Sequence, residues 1–251
     1  MISMKEELAF VSRRHLDNVE DLARAYATAL PYPHVVLEEF LQSEIAQNLA
    51  ECFPPRDQPM QRASRDARLE NGRTVQVAKR NYAQGEVDAS VEHMFKRLNS
   101  DAFLHFLELL SGIQGLLTDP TMRGAGLHAT DPGGFLAIHA DFNRHPRLGL
   151  DRRVNLLLYL NDDWRPGYGG ELELWDRDLT ACQSRIAPIA NRCVIFSTSS
   201  WSFHGHPQPW QGPTGGCRKS LAMYYYSDGR PQAEVSEPHA TIWPETPGAH
   251  R

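Results

Sequence analysis

Near the middle of the chain, His139 and Asp141 stand two residues apart in His139-Ala140-Asp141. At the end of an extended strand, residues two apart project from one face, so an imidazole and a carboxylate can reach the same metal ion. A third ligand must then come from a distant strand. The segment Trp201-Ser202-Phe203-His204-Gly205-His206-Pro207 offers two histidines for it. Two imidazoles and one carboxylate on one side of a metal leave positions open on the other, the donor set suited to oxygen chemistry at ferrous iron. Taken alone, a His-x-Asp pair is common, and a loop histidine beside a turn-forming aspartate explains it as well.

A second group lies in Arg218-Lys219-Ser220, just before the apolar run Leu221–Tyr226. In a strand, Arg218 and Ser220 share a face with Ala222 and Tyr224, while Lys219 points the other way. A guanidinium with a hydroxyl beside it suits the carboxylate of a dicarboxylic acid, because arginine binds carboxylate through two parallel hydrogen bonds and keeps its charge. The plain reading is a pair of cations flanking a strand.

These groups need a scaffold, and the chain supplies one in two parts. Residues 5–30 carry Leu8, Val11, Leu16, Val19, Leu22, Ala23, Tyr26 and Leu30 at helical spacing, up to Pro31 and Pro33. A short β-like run at Val35–Leu37 follows, then a second helix over Leu41–Phe53 with Ser43 as its cap. Residues 54–76 are polar and read as an exposed loop, and two more helices are expected over 89–98 and 101–110. After Gly124, short runs rich in branched and aromatic residues alternate with Gly, Pro, Asn and Asp turns. They fall at 134–140, 154–160, 170–175, 185–188, 193–197 and 219–226. That pattern predicts a sandwich, barrel or jelly roll. The expected architecture is an all-β core, about 124–227, with flanking helices from about 1–123, forming one domain over 1–251. The tail after Ser227 shows no periodicity and reads as loop.

Composition narrows the class. A chain of 251 residues with 41% hydrophobic and 23% charged residues can bury one sizeable core. The net charge of −5, with no long basic run, argues against a nucleic-acid partner. The four cysteines, Cys52, Cys182, Cys193 and Cys217, contain no CxxC pair, so neither a zinc finger nor a disulfide framework is expected. Lys5, Glu6 and Glu7 fall where a signal peptide needs an apolar run, and no stretch reaches the length of a membrane span. The expected setting is the cytoplasm.

In order and type, the His-x-Asp pair, the distal histidine and the Arg-x-Ser pair resemble the 2-oxoglutarate/Fe(II)-dependent dioxygenases, especially their prolyl-4-hydroxylase-like branch. Between them, 153–161 (Arg153-Val-Asn155-Leu-Leu-Leu-Tyr159-Leu-Asn161) and Gly169-Gly170-Glu171-Leu172 look like that branch's strand and glycine turn. Ile195-Phe196 looks like the strand leading to the distal histidine, and residues 33–41 look like the branch's common opening segment. The resemblance spans roughly 31–227 and is strongest over 126–227.

The resemblance implies a double-stranded β-helix, a distorted cupin-like jelly roll with the metal at its open mouth. It implies Fe(II), 2-oxoglutarate and O₂, with ascorbate as a candidate reductant. The co-substrate is decarboxylated to succinate while an unactivated C–H bond of an amino acid, small metabolite or peptidyl residue is hydroxylated; desaturation, epimerisation and cyclisation are the variant outcomes. It makes His139 and Asp141 metal ligands. The family's usual distal His-x-Val aligns His204 as the third, although the prolines at 207 and 209 leave His206 as the alternative. Arg218 and Ser220 would hold the co-substrate's distal carboxylate, with Asn155 and Tyr159 lining the barrel nearby. Asp141 argues against the halogenating relatives, which lack this carboxylate.

Several other residues have a packing reading beside a functional one: Arg153, Tyr224, Asn143, His145, Cys217, and the run Lys79-Arg80-Asn81-Tyr82, which could belong to a substrate lid. The expected partners are a small-molecule or peptidyl substrate, with no membrane and either a monomer or a homodimer. The competing class is a cupin-like metal-binding or structural protein without oxygenase activity.

Overall fold

A computed structural model describes residues 3–58 and 66–245. The chain begins with three short helices, α1 (Met4–Glu7), α2 (Arg13–Asp17) and α3 (Val19–Thr28), followed by β1 (His34–Leu37) and α4 (Ser43–Glu51). Next come β2 (Ala67–Arg68), β3 (Thr74–Tyr82), α5 (Ala89–Leu98), α6 (Asp101–Ser111) and β4 (Leu117–Thr118). The remaining strands are β5 (Gly126–His139), β6 (Asp151–Tyr159), β7 (Leu172–Trp175), β8 (Cys182–Ile186), β9 (Cys193–Ser197), β10 (His204–His206) and β11 (Arg218–Ser227).

The single helix expected over 5–30 is broken, and the cause is tertiary. Val11 pairs with Leu41 as an isolated bridge, while Ser12 N–H donates to Phe40 O and Gln42 N–H to Phe10 O. Those bonds hold residues 10–12 against residues 40–42 and out of a helix despite the helical spacing of their neighbours. The later helices match their patterns, except that Gln42 and not Ser43 is the N-cap of α4, with no side-chain cap bond. Ser100 caps α6 by accepting from Phe103 N–H, and Gly112 ends it in the left-handed conformation. The buried stripe Phe103, Phe106, Leu107 and Leu110 lies against the sheet in one cluster with Leu127, Leu156 and Leu221.

Eleven described strands form one antiparallel sheet with the path β1-β9-β6-β11-β5-β10-β7-β8; β3 also pairs with β5, β2 with β3, and β4 with β11. Curled on itself, this is the double-stranded β-helix. β5 is the strand that turns the corner. Its first half pairs with β11 and β3, its last residues with β10. Gly134 marks the bend: a Cβ there would stand 2.7 Å from Val77 O and 2.8 Å from Asp131 O.

The loop expected over 54–76 is partly strand, since β2 and the start of β3 lie within it. Residues 79–82, considered for a lid, belong to β3 in the barrel wall. β3 escapes a period-two reading because Ala78, at φ 51°, interrupts it and shifts its register on β5 between Val77 and Lys79.

Candidate active site

His139 closes β5 and His204 opens β10, and the two oppose each other in the antiparallel ladder. Opposed residues share a face, which brings the ring centroids to 4.5 Å. Each Nδ1 lies 2.9 Å from a backbone carbonyl, Ala137 O for His139 and Ser202 O for His204. A carbonyl only accepts, so both Nδ1 atoms carry the proton and both Nε2 lone pairs are left free. Burial, reinforced by the neighbouring His139, pushes the pKa of His204 down to about 4, so this imidazole is neutral near pH 7.

Asp141 completes the cluster. Its Oδ1 is 3.7 Å from His139 Nε2 and its Oδ2 is 3.6 Å from His204 Nε2. The three donor atoms lie within 4.8 Å of one another, the one such group among the described residues. Burial works against ionisation of Asp141, but the Arg152 guanidinium, with His139 and His204, holds the carboxyl well below the usual range. Arg152 Nη2 forms an ion pair with Oδ2 at 2.9 Å, and Asn155 Nδ2 donates to the same oxygen at 2.8 Å. Arg152 is itself fixed by donating through Nε to Asn155 Oδ1 and by lying 3.6 Å over the Tyr224 ring. Two imidazoles anchored through Nδ1 and one carboxylate, held from behind and open toward a cavity, suit a divalent cation.

That cavity, of about 210 Å³, is lined by the three cluster residues together with Asn155, Arg218 and Ser220. Arg218 donates through Nε to Gly170 O at 2.6 Å and through Nη2 to Tyr159 Oη at 3.4 Å. Gly170 is required there: at φ 74° a Cβ would lie 3.0 Å from Arg218 Cδ. Tyr159 does not line the cavity; it backs the guanidinium, 5.0 Å from its ring centroid. His206 lines the cavity but stays outside the cluster, its Nδ1 buried without a hydrogen-bond partner.

Other sequence candidates take structural places. Asn143 Nδ2 donates to Ser236 Oγ and Glu237 O, and its Oδ1 accepts from His239 N–H, so it pins the tail. His145 is buried 3.2 Å from Asp119. Arg153 pairs with Glu234 at 3.0 Å. Cys217 is a half-buried free thiol.

In the sequence, Arg152 and the tail carry no readable signal for the site, and Lys79 and Asn81 stand out only as part of a lid. Arg152 stands beside Arg153 in β6 and pairs with Asp141. Lys79 and Asn81 line the cavity from β3. The tail returns across the mouth: Ile242 and Ala140 exchange backbone hydrogen bonds of 2.8 and 3.0 Å, and Trp243 lies over His139 with centroids 4.9 Å apart. Arg73 fastens it by donating to Trp243 O and Pro244 O. Replacing Asn143 with alanine removes three of the tail's bonds, at about 1 kcal/mol each. Hydrogen exchange of the Ile242 amide is expected to speed up about tenfold or more, and an unchanged rate would show that the tail is held elsewhere.

Residues 125–226 match the sequence profile of the 2OG-Fe(II) oxygenase superfamily. That stretch, β5 through β11, carries the superfamily's sequence pattern. Solved structures share the fold. A prolyl hydroxylase from Trichoplax adhaerens, in complex with a hypoxia inducible factor oxygen degradation domain peptide fragment, superimposes with TM-score 0.59 at 18% identity, covering 88% of this chain and 96% of its own. A 2OG-Fe(II) oxygenase family oxidoreductase from Burkholderia pseudomallei gives 0.54 at 16%, over 83% and 89%. A Pseudomonas putida prolyl-4-hydroxylase gives 0.51 at 20%, over 84% and 99%. The oxygenase is thus a 2-oxoglutarate-dependent dioxygenase using Fe(II) and O₂. A cupin-like protein without this activity is set aside by the same match.

Proposed function

We propose that this oxygenase hydroxylates a small free molecule, an amino acid or a metabolite of similar size, with His139, Asp141 and His204 as its iron ligands and Arg218 and Ser220 as the seat of the 2-oxoglutarate distal carboxylate. One observation carries the reading: the convergent His139–Asp141–His204 donors and the buried Arg218 face each other across a single cavity. Bound iron supplies the oxygen activation. In sum, 2-oxoglutarate, O₂ and R–H become succinate, CO₂ and R–OH.

The protein's part is binding and orientation. The two carbonyl-anchored imidazoles and Asp141 set the metal's open side toward the cavity. Arg218, braced by Gly170 and Tyr159, sets the far end of the co-substrate. Trp243 and the returning tail line the cavity beside His139 and narrow its mouth, which favours a small substrate over an extended peptide. We read the helices and the sheet as one catalytic domain because one buried cluster runs through both. Four free cysteines suit a reducing cytoplasm; no described helix is long and apolar enough to cross a membrane.

The test is an anaerobic titration with Fe(II) and then 2-oxoglutarate. A weak visible charge-transfer band should appear only when both are present, and its absence in folded, metal-loaded protein refutes the site. Two variants separate the late histidines. His204→Ala is expected to weaken metal binding by more than about 100-fold, above the 10–100-fold cost of losing a mere orienting partner. His206→Ala should keep metal affinity within about threefold by that scale. The reverse result would move the ligand to His206.

A further inference from the structure

We propose that Lys79 is a second anchor for the distal carboxylate of 2-oxoglutarate, gripping it opposite Arg218. The inference rests on the co-substrate reading of Arg218 given above.

The geometry begins in the sheet. Thr130 of β5 is in register with Lys79 of β3 on one side and with Arg218 of β11 on the other. Opposed residues of antiparallel neighbours share a face, so Lys79, Thr130 and Arg218 form one inward row, and all three line the cavity. The interruption at Ala78 makes this possible, since the register shifts there between Val77 and Lys79. A strand that kept its period would present position 78 instead.

Charge supplies the second strand of evidence. Three cations line the cavity, and two have partners: Arg152 pairs with Asp141, and Arg218 donates to Gly170 O and Tyr159 Oη. The Lys79 ammonium has no hydrogen bond or ion pair with any described residue, although its side chain is half-buried and opens onto the cavity. On the same walls, His206 Nδ1 and Asn81 Oδ1 are buried without hydrogen-bond partners. An ammonium that opens onto the cavity without a counter-charge is stabilised by an anion placed before it. Burial, with Arg218 and Arg152 adding to it and Asp141 opposing it, brings the Lys79 pKa down to about 8. At that value Lys79 still carries its charge near pH 7, and a bound carboxylate would raise the pKa again. The row places that carboxylate at the Arg218 end of the cavity, where the distal group of a dicarboxylate lies when its 2-oxo acid end is at the metal cluster.

The experiment compares parent protein, Lys79→Met and Lys79→Arg, each loaded with Mn(II) under anaerobic conditions. Each is titrated calorimetrically with 2-oxoglutarate and with 2-oxobutyrate, which lacks the distal carboxylate. For Lys79→Met, the 2-oxoglutarate Kd should rise about tenfold or more, the loss of one charge-assisted hydrogen bond. The 2-oxobutyrate and Mn(II) affinities should stay unchanged, and Lys79→Arg should recover most of the loss. Methionine also removes the uncompensated charge, so the ligand-free variant should melt no lower than the parent, while its 2-oxoglutarate-induced Tm increment shrinks. Equal 2-oxoglutarate affinity in parent and Lys79→Met overturns the inference, as does an equal loss for both ligands. If the parent itself does not bind 2-oxoglutarate, the co-substrate reading of the site fails instead.

Discussion

Asp141→Ala protein is expected to bind Fe(II) or Mn(II) more than about 100-fold more weakly than the parent and to release no succinate. The loss exceeds the 10–100-fold typical of an orienting residue, because the cluster loses its only anion. A second effect follows from Arg152. Its guanidinium is buried against Asp141 at 2.9 Å, and removing one partner of a buried pair costs about 3–5 kcal/mol through the charge left behind. At about 2–4 °C per kcal/mol for a chain of this size, the metal-free variant should melt at least about 6 °C lower. Asp141→Asn keeps the shape and should lose metal with a similar penalty from the unpaired Arg152. Anaerobic metal titration and thermal unfolding check both parts. Parent-like metal affinity in the alanine variant would refute the ligand assignment.

The pH dependence of this pair has a definite sign. The carboxyl of Asp141 is depressed in the folded protein, so its contribution to stability is complete above the unfolded carboxylate range and is lost as pH falls through its folded value.

Arg218→Ala is expected to leave metal affinity intact while raising the 2-oxoglutarate Kd about 30-fold or more. That corresponds to about 2–5 kcal/mol for truncating one partner of a buried charged contact. Arg218→Lys should recover only part, since an ammonium cannot both donate to Gly170 O and keep a planar face on Tyr159. Calorimetry on the Mn(II)-loaded variants reads the difference. Unchanged 2-oxoglutarate affinity would remove Arg218 from the co-substrate site, whereas loss of metal as well would point to a collapsed barrel.

The parts of the site readable along the chain were those held together by short-range geometry. His139 and Asp141 share a face because strands alternate, and Arg218 and Ser220 do so for the same reason. The choice of His204 over His206 in the cluster depended on pairing: His204 opposes His139, while His206 opposes Leu136 across a register shift. Helices α4, α5 and α6 were legible because their buried residues recur at helical spacing and Ser or Asp cap two of them. The first helix was not, because bonds from residues 10–12 to 40–42 overrode local preference.

By itself, the sequence showed the β-rich half through its local period and, through its resemblance to a family, the class of chemistry and the candidate donor residues. Only the tertiary structure decided what surrounds them. Arg152 became the counter-charge of Asp141, β3 delivered Lys79 through an irregular strand, and the tail laid Trp243 over His139. The second and third join segments far apart in the chain, and the first joins β6 to Asp141, just past β5; all are fixed by strand register and packing, which no local pattern of residue types encodes.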